Sequence, residues 1–144
     1  MSYSLDVNLL LYASDTASRW HDGARSFLLA RTEDPDLLCI SWLTLMGYQR
    51  IATHAAIFSR PLTPAQAWDN VGSILGLPRV QVIGEESSFA DDYRSATRAF
   101  PVRGNLVPDA HLAVILQEHG VRRLYTTDTD FRRFGFLEVI NPLE

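Results

Sequence analysis

Short apolar runs separated by longer, helix-patterned stretches constrain this chain more than any other feature. Tyr3 to Val7, Leu37 to Ile40, Val80 to Ile83, Arg123 to Thr126 and Leu137 to Ile140 each read as a strand. The first four are joined by segments far too long for hairpin turns and patterned as helix. Strands linked through helices pair in parallel and bury both faces of their sheet. The expected fold class is therefore α/β, a three-layer α/β/α sandwich around a central, mostly parallel sheet.

Local signals set the expected helices. Asn8 is placed to cap a short apolar helix over Leu9 to Ala13. A second helix fits Arg19 to Ala30, where Trp20, Ala24, Phe27 and Leu28 share one face. Ser41 caps a third, from Trp42 to Thr53. Thr63-Pro64-Ala65-Gln66 joins a cap, a proline at the first helical position and a glutamine three residues past the cap. That helix should stop near Gly76. Two more span Ser88 to Ala99 and Pro108 to His119, the latter stopped by Gly120, and a short helical turn covers Asp130 to Phe134.

A chain of 144 residues supports one domain, taken as 1–144, with a sizeable core. Its net charge of −4 argues against binding nucleic acid through bulk attraction to phosphates. A nuclease with an acidic site and a local basic patch stays open, and Arg122-Arg123 and Arg132-Arg133 flank the last acidic motif. The single cysteine, Cys39, lies in an apolar run and reads as core. No stretch approaches the ~20 apolar residues of a membrane helix, and no basic leader precedes the first strand, so cytoplasmic residence is expected.

Sheets of this class collect ligands at the carboxyl ends of their strands. Asp6 falls at the end of the first strand and Asp128 directly after the fourth. Asp109 lies in the first turn of a helix, where free backbone N–H groups favour negative charge. Asp130 points the same way as Asp128 if the segment is extended. Clustered carboxylates with few histidines suit a hard cation such as Mg²⁺ or Mn²⁺, and such an ion suits phosphodiester hydrolysis. Bland readings stand beside these: Asp109 as a helix-terminus acid, Asp128 and Asp130 as turn formers. Asp6 is harder to explain away, because an acid in an apolar segment is costly to bury without a partner.

At these residues the chain resembles the PIN-domain nucleases and, among them, the VapC toxins of toxin–antitoxin pairs. The resemblance runs through Leu5-Asp6-Val7-Asn8-Leu9-Leu10, Arg50-Ile51-Ala52-Thr53, Asn105 to Ala113 around Pro108-Asp109, and Thr126-Thr127-Asp128-Thr129-Asp130-Phe131, with Asn141-Pro142 near the end. It implies a PIN-like domain acting as a metal-dependent ribonuclease that a cognate antitoxin silences, and a homodimer. It also implies that Asp6, Asp109 and Asp128 hold Mg²⁺ or Mn²⁺, with Asp130 auxiliary. Asn8 and Thr127 are expected to orient the carboxylates, and Arg50 to meet an RNA phosphate or a site carboxylate.

One departure stands out. The family's second acid, a glutamate on the helix after the second strand, would fall at Gly47. A catalytically weak or inactive PIN-like binding protein is the resulting alternative, unless Glu85 or Glu86 compensates. Trp20, Phe27, Trp42, Tyr48, Phe58 and Trp68 read either as core or as faces for a second copy or an antitoxin.

Overall fold

The computed structural model describes residues 1–144. Five strands, β1 (Ser2–Leu5), β2 (Leu37–Ser41), β3 (Val80–Ile83), β4 (Arg123–Tyr125) and β5 (Glu138–Ile140), form one sheet in the order β3-β2-β1-β4-β5. Every pairing is parallel. The chain winds outward from β1 through β2 to β3, then returns to the other side of β1 for β4 and β5. The direction of winding thus reverses between β1 and β4, and loops leaving their carboxyl ends diverge there to leave a crevice.

The helices are α1 (Val7–Ser14), α2 (His21–Leu29), α3 (Trp42–Ala52), α4 (Pro64–Leu75), α5 (Phe89–Ala96) and α6 (Leu106–Glu118), with 3₁₀ turns at Ala30–Thr32 and Thr129–Arg133. Capping chemistry explains several starts. The Ser41 hydroxyl accepts from the Thr44 N–H, and Thr63 and Gln66 close a reciprocal capping box on α4. The first helix departs from expectation: Asp6, not Asn8, is its cap, its Oδ1 accepting from the Val7 N–H at 2.7 Å. Helix α6 begins two residues before Pro108, which is tolerated because first-turn N–H groups have no intrahelical acceptor. Helix α5 ends at Ala96, short of the expected Ala99.

Side-chain alternation along the strands divides the interior in two. Tyr3, Leu5, Leu38 and Ile40 pack with Leu9, Leu10, Leu45 and Tyr48 on the face covered by α1, α3 and α4. Cys39, Ile83 and Leu124 face α6, whose Leu112 to Leu116 are buried without a break, together with Phe131 and Phe134. Helices therefore cover both faces of the sheet, as expected. Among the aromatics, Tyr48 and Phe58 are core, whereas Trp42 and Trp68 stack on each other at 6.2 Å while remaining 43% and 49% exposed. No helix is long and apolar enough to cross a membrane.

Candidate functional site

The crevice between β1 and β4 gathers the acidic residues. Strand β1 ends at Leu5, paired with Tyr125, and the Asp6 N–H donates to the Tyr125 carbonyl at 3.0 Å. Asp6 is thus fixed beside β4 although 119 residues separate it from Tyr125 in sequence. Its side chain is only 9% exposed. The Val7 N–H donates to Oδ1, and the Thr126 hydroxyl donates to Oδ2 at 2.7 Å.

Thr126 organises the turn after β4. Its Oγ1 accepts from the Asp128 N–H at 3.0 Å and from the Asn8 amide at 3.3 Å while donating to Asp6. One donor and two acceptors exhaust what a hydroxyl offers. Asp128 in turn caps the following 3₁₀ turn, its Oδ1 accepting from the Asp130 N–H at 2.9 Å. That turn curls Asp130 back toward Asp128 instead of leaving the segment extended.

Asp109 enters from the first turn of α6. Carboxylate oxygens of Asp109, Asp128 and Asp130 lie within 4.8 Å of one another. Asp6 lies outside this trio, but its charge is felt by it. Burial, then the charges of Asp128, Asp6 and Asp130, push the Asp109 carboxyl up from 3.8 to about 7. Burial also raises Asp6, against the lowering effect of its hydrogen bonds to Thr126 and Val7, and the Asp128 charge raises it further. Carboxylates packed this closely repel unless a cation or a proton neutralises them. The all-oxygen donor set therefore fits a hard divalent cation held by Asp109, Asp128 and Asp130, with Asp6 beside them.

The other expected residues fall as follows. Asn8 and Thr127 touch each other, amide to hydroxyl at 2.8 Å, rather than a carboxylate. The hydroxyl that does meet Asp6 belongs to Thr126, the first of the doubled threonines before Asp128 and not among the expected site residues. Arg50 lines a cavity of about 420 Å³ together with Asp6, Asp109 and Gly47. Glu85 and Glu86 do not fill the place of a second acid: they pair with His111 at 2.7 Å and His119 at 3.2 Å. Arg122 and Arg123 precede or begin β4, at the opposite end of that strand from the acids, and Arg123 pairs with Asp36 and Glu138. Arg132 and Arg133, exposed in the turn after Asp130, are the basic pair near the site.

A Cβ built on Gly47 meets nothing nearer than Val7 Cγ2 at 3.8 Å. No backbone conformation or crowding demands glycine there. The position has room for the larger, acidic side chain expected there.

No protein-family model matches the sequence. Curated relatives do. Ribonuclease VapC48 of Mycobacterium tuberculosis is 34% identical over 142 residues, covering 99% of this chain and 98% of that protein. Ribonuclease VapC37 of the same organism is 32% identical over 130 residues, covering 90% of each. Among solved structures, VapBC2 from Rickettsia felis, bound to a promoter DNA fragment, superposes with a TM-score of 0.70 at 19% identity, covering 98% of both chains. The sarcin–ricin-loop-cleaving toxin VapC20 of M. tuberculosis gives 0.67 at 16%, covering 96% of this chain and 99% of that one. The extent and level of identity to the curated relatives, on a fold shared with these solved toxins, mean that this chain belongs to the VapC family of PIN-domain ribonucleases.

Proposed function

We propose that this protein is a metal-dependent ribonuclease toxin that hydrolyses RNA phosphodiester bonds and is neutralised by a cognate antitoxin. The observation that carries the reading is the convergence of Asp109, Asp128 and Asp130 within 4.8 Å beside Asp6, at the mouth between β1 and β4. The alternative of a weak or inactive binding protein rested on Gly47, and the relatives, named as ribonucleases, lend it no support.

Asp109, Asp128 and Asp130 hold Mg²⁺ or Mn²⁺ in this reading, with Asp6 a further ligand, direct or through water. A cation held there would supply Lewis acidity, for water activation and for the charge developing on the phosphate oxygens. The chain's own residues prepare that chemistry. Thr126 and the Val7 N–H fix the Asp6 carboxylate, so the site does not have to reorganise as the substrate arrives. Asp109, which titrates near neutrality without a cation, loses its proton when one is present. Arg50 offers a planar cation to a phosphate or base of the RNA.

Further parts of the reading have their own support. An apolar groove of about 290 Å³, lined by Leu10, Leu28, Leu45, Val71, Ile74 and Leu77, suits an antitoxin segment. Several structural neighbours are complexes of VapC-type toxins with their antitoxins, among them VapBC-1 of Haemophilus influenzae. The exposed Trp42–Trp68 stack suits a homodimer face. The whole chain is taken as one domain working in the cytoplasm.

Cleavage of a mixed RNA pool by antitoxin-free protein tests the function, with Mg²⁺ or Mn²⁺, with EDTA, and with Asp6→Asn. Metal-dependent cutting lost in EDTA and in the variant is expected. Cutting that persists in EDTA, or undiminished in Asp6→Asn, sinks the mechanism. A folded protein that cuts nothing with either metal overturns the function.

A further inference from the structure

The cavity that Gly47 opens is more than the vacancy left by an acid. It measures about 420 Å³, within the usual range of small-ligand pockets, and reaches the carboxylates themselves, since Asp6 and Asp109 form part of its wall. The rest of the lining is mainly apolar: Leu43, Met46, Ile51, Leu112 and Phe131. Mobile ions and water gain little from such walls. A flat ring with apolar faces and a polar edge gains from both the walls and the acidic or cationic rim, where Arg50 lies.

The geometry points to a nucleobase pocket: the site accepts into this cavity the base of a nucleotide flanking the scissile phosphate, unstacked from the strand. The inference rests on the ribonuclease reading above and adds to it a determinant of substrate choice. Two features of this cavity carry it. The cavity adjoins the acids, so a base held there lies on the strand being cut. Gly47 leaves its wall open, with ordinary van der Waals distance to Val7 as the only contact a Cβ would make. A larger residue at this position takes up the space that the base requires. Single-stranded RNA suits such a pocket, because unpaired bases splay out and stack against side chains.

The test uses a short RNA carrying one site of cleavage, made in versions with a single abasic nucleotide at each position around that site. Wild-type protein should show a KM about tenfold higher when one particular flanking base is absent, the size expected for losing the burial of one base against apolar side chains. In Gly47→Leu the ratio between intact and abasic RNA at that position should fall to near one. A second measurement needs no variant. Adenosine or guanosine 5′-monophosphate, added to the wild-type protein in Mg²⁺, should shift the methyl NMR signals of Met46, Ile51 and Leu112, and ribose 5-phosphate should not. Equal shifts from ribose 5-phosphate overturn the pocket. So does a protein that cuts RNA with no sensitivity to any flanking base, or with the same sensitivity in Gly47→Leu; the ribonuclease reading then still stands. A protein that cuts no RNA at all overturns both.

Discussion

The Thr126 hydroxyl donates to Asp6 Oδ2 at 2.7 Å, tying the residue after β4 to the residue after β1 across 120 positions of sequence. Both groups are buried, Thr126 at 1% and Asp6 at 9% exposure. The bond is charge-assisted when Asp6 is ionised, and with the equally short bond from the Val7 N–H to Oδ1 it fixes where that carboxylate points.

Thr126→Val, nearly the same shape, removes the donor to Asp6 and the acceptor for the Asp128 N–H in one step. Destabilisation on the order of 2 kcal/mol is expected, because buried polar partners are left unsatisfied. Cleavage should fall about tenfold, mainly in kcat. Thr126→Ser keeps the hydroxyl and should recover most of both. Equilibrium urea unfolding and RNA cleavage rates check this, and a fully active Thr126→Val shows that Asp6 needs no such anchor.

In metal-free protein the Asp109 carboxyl binds its proton more tightly folded, at about 7, than at its ordinary 3.8. Between about pH 4 and 7 the native state thus holds a proton that the unfolded chain has released. The stability contributed by this group is full below about pH 4, is lost as pH rises through 7, and then levels off. Because the carboxyl is only half buried, solvent screening reduces the swing to on the order of 1–2 kcal/mol. Asp6, also raised, acts in the same direction. Thermal unfolding in EDTA from pH 5 to 8 measures it, with Asp109→Asn expected to flatten the slope. A profile that rises over that window contradicts the crowding of these acids.

Divalent ions should reverse that trend. Mg²⁺ or Mn²⁺ binds the deprotonated trio and stabilises the folded protein in proportion to occupancy, so the gain in Tm should be larger at pH 8 than at pH 5.5. Asp128→Asn or Asp130→Asn should remove most of the gain and reduce cleavage by a hundredfold or so. Calorimetry on the wild type and the two variants decides it; an unchanged metal response in Asp130→Asn removes that residue from the ligand set.

Gly47→Glu introduces the acid that the resemblance to PIN-domain nucleases leads one to expect, at a position with room for it. Mn²⁺ affinity should increase about tenfold, since one more carboxylate joins the donor set. Without metal the same change should destabilise the protein at pH 8 by about 1 kcal/mol, through added like-charge repulsion. Titration calorimetry and unfolding curves read both effects. A variant that binds Mn²⁺ no more tightly shows that position 47 does not face the ion.

Much of this protein is legible in its local pattern. The alternation of apolar runs with helical stretches determined the parallel α/β architecture, and the Ser41 and Thr63–Gln66 caps fixed where α3 and α4 begin. These features depend on residues within a turn or two of each other, which is the range over which periodicity and capping act. The acids were also visible, as charges at the ends of apolar runs. Tertiary structure decided how they group. The reversal of winding between β1 and β4 set Asp6 against Thr126, and the 3₁₀ turn at Thr129–Arg133 brought Asp130 to Asp109 and Asp128 while Asp6 capped α1. It equally decided that Trp42 and Trp68 stay in solvent, that Arg123 serves the far end of β4, and that Gly47 opens onto a cavity. Contacts between positions about 20 to 120 residues apart follow from strand order and register, and no local run of sequence encodes those.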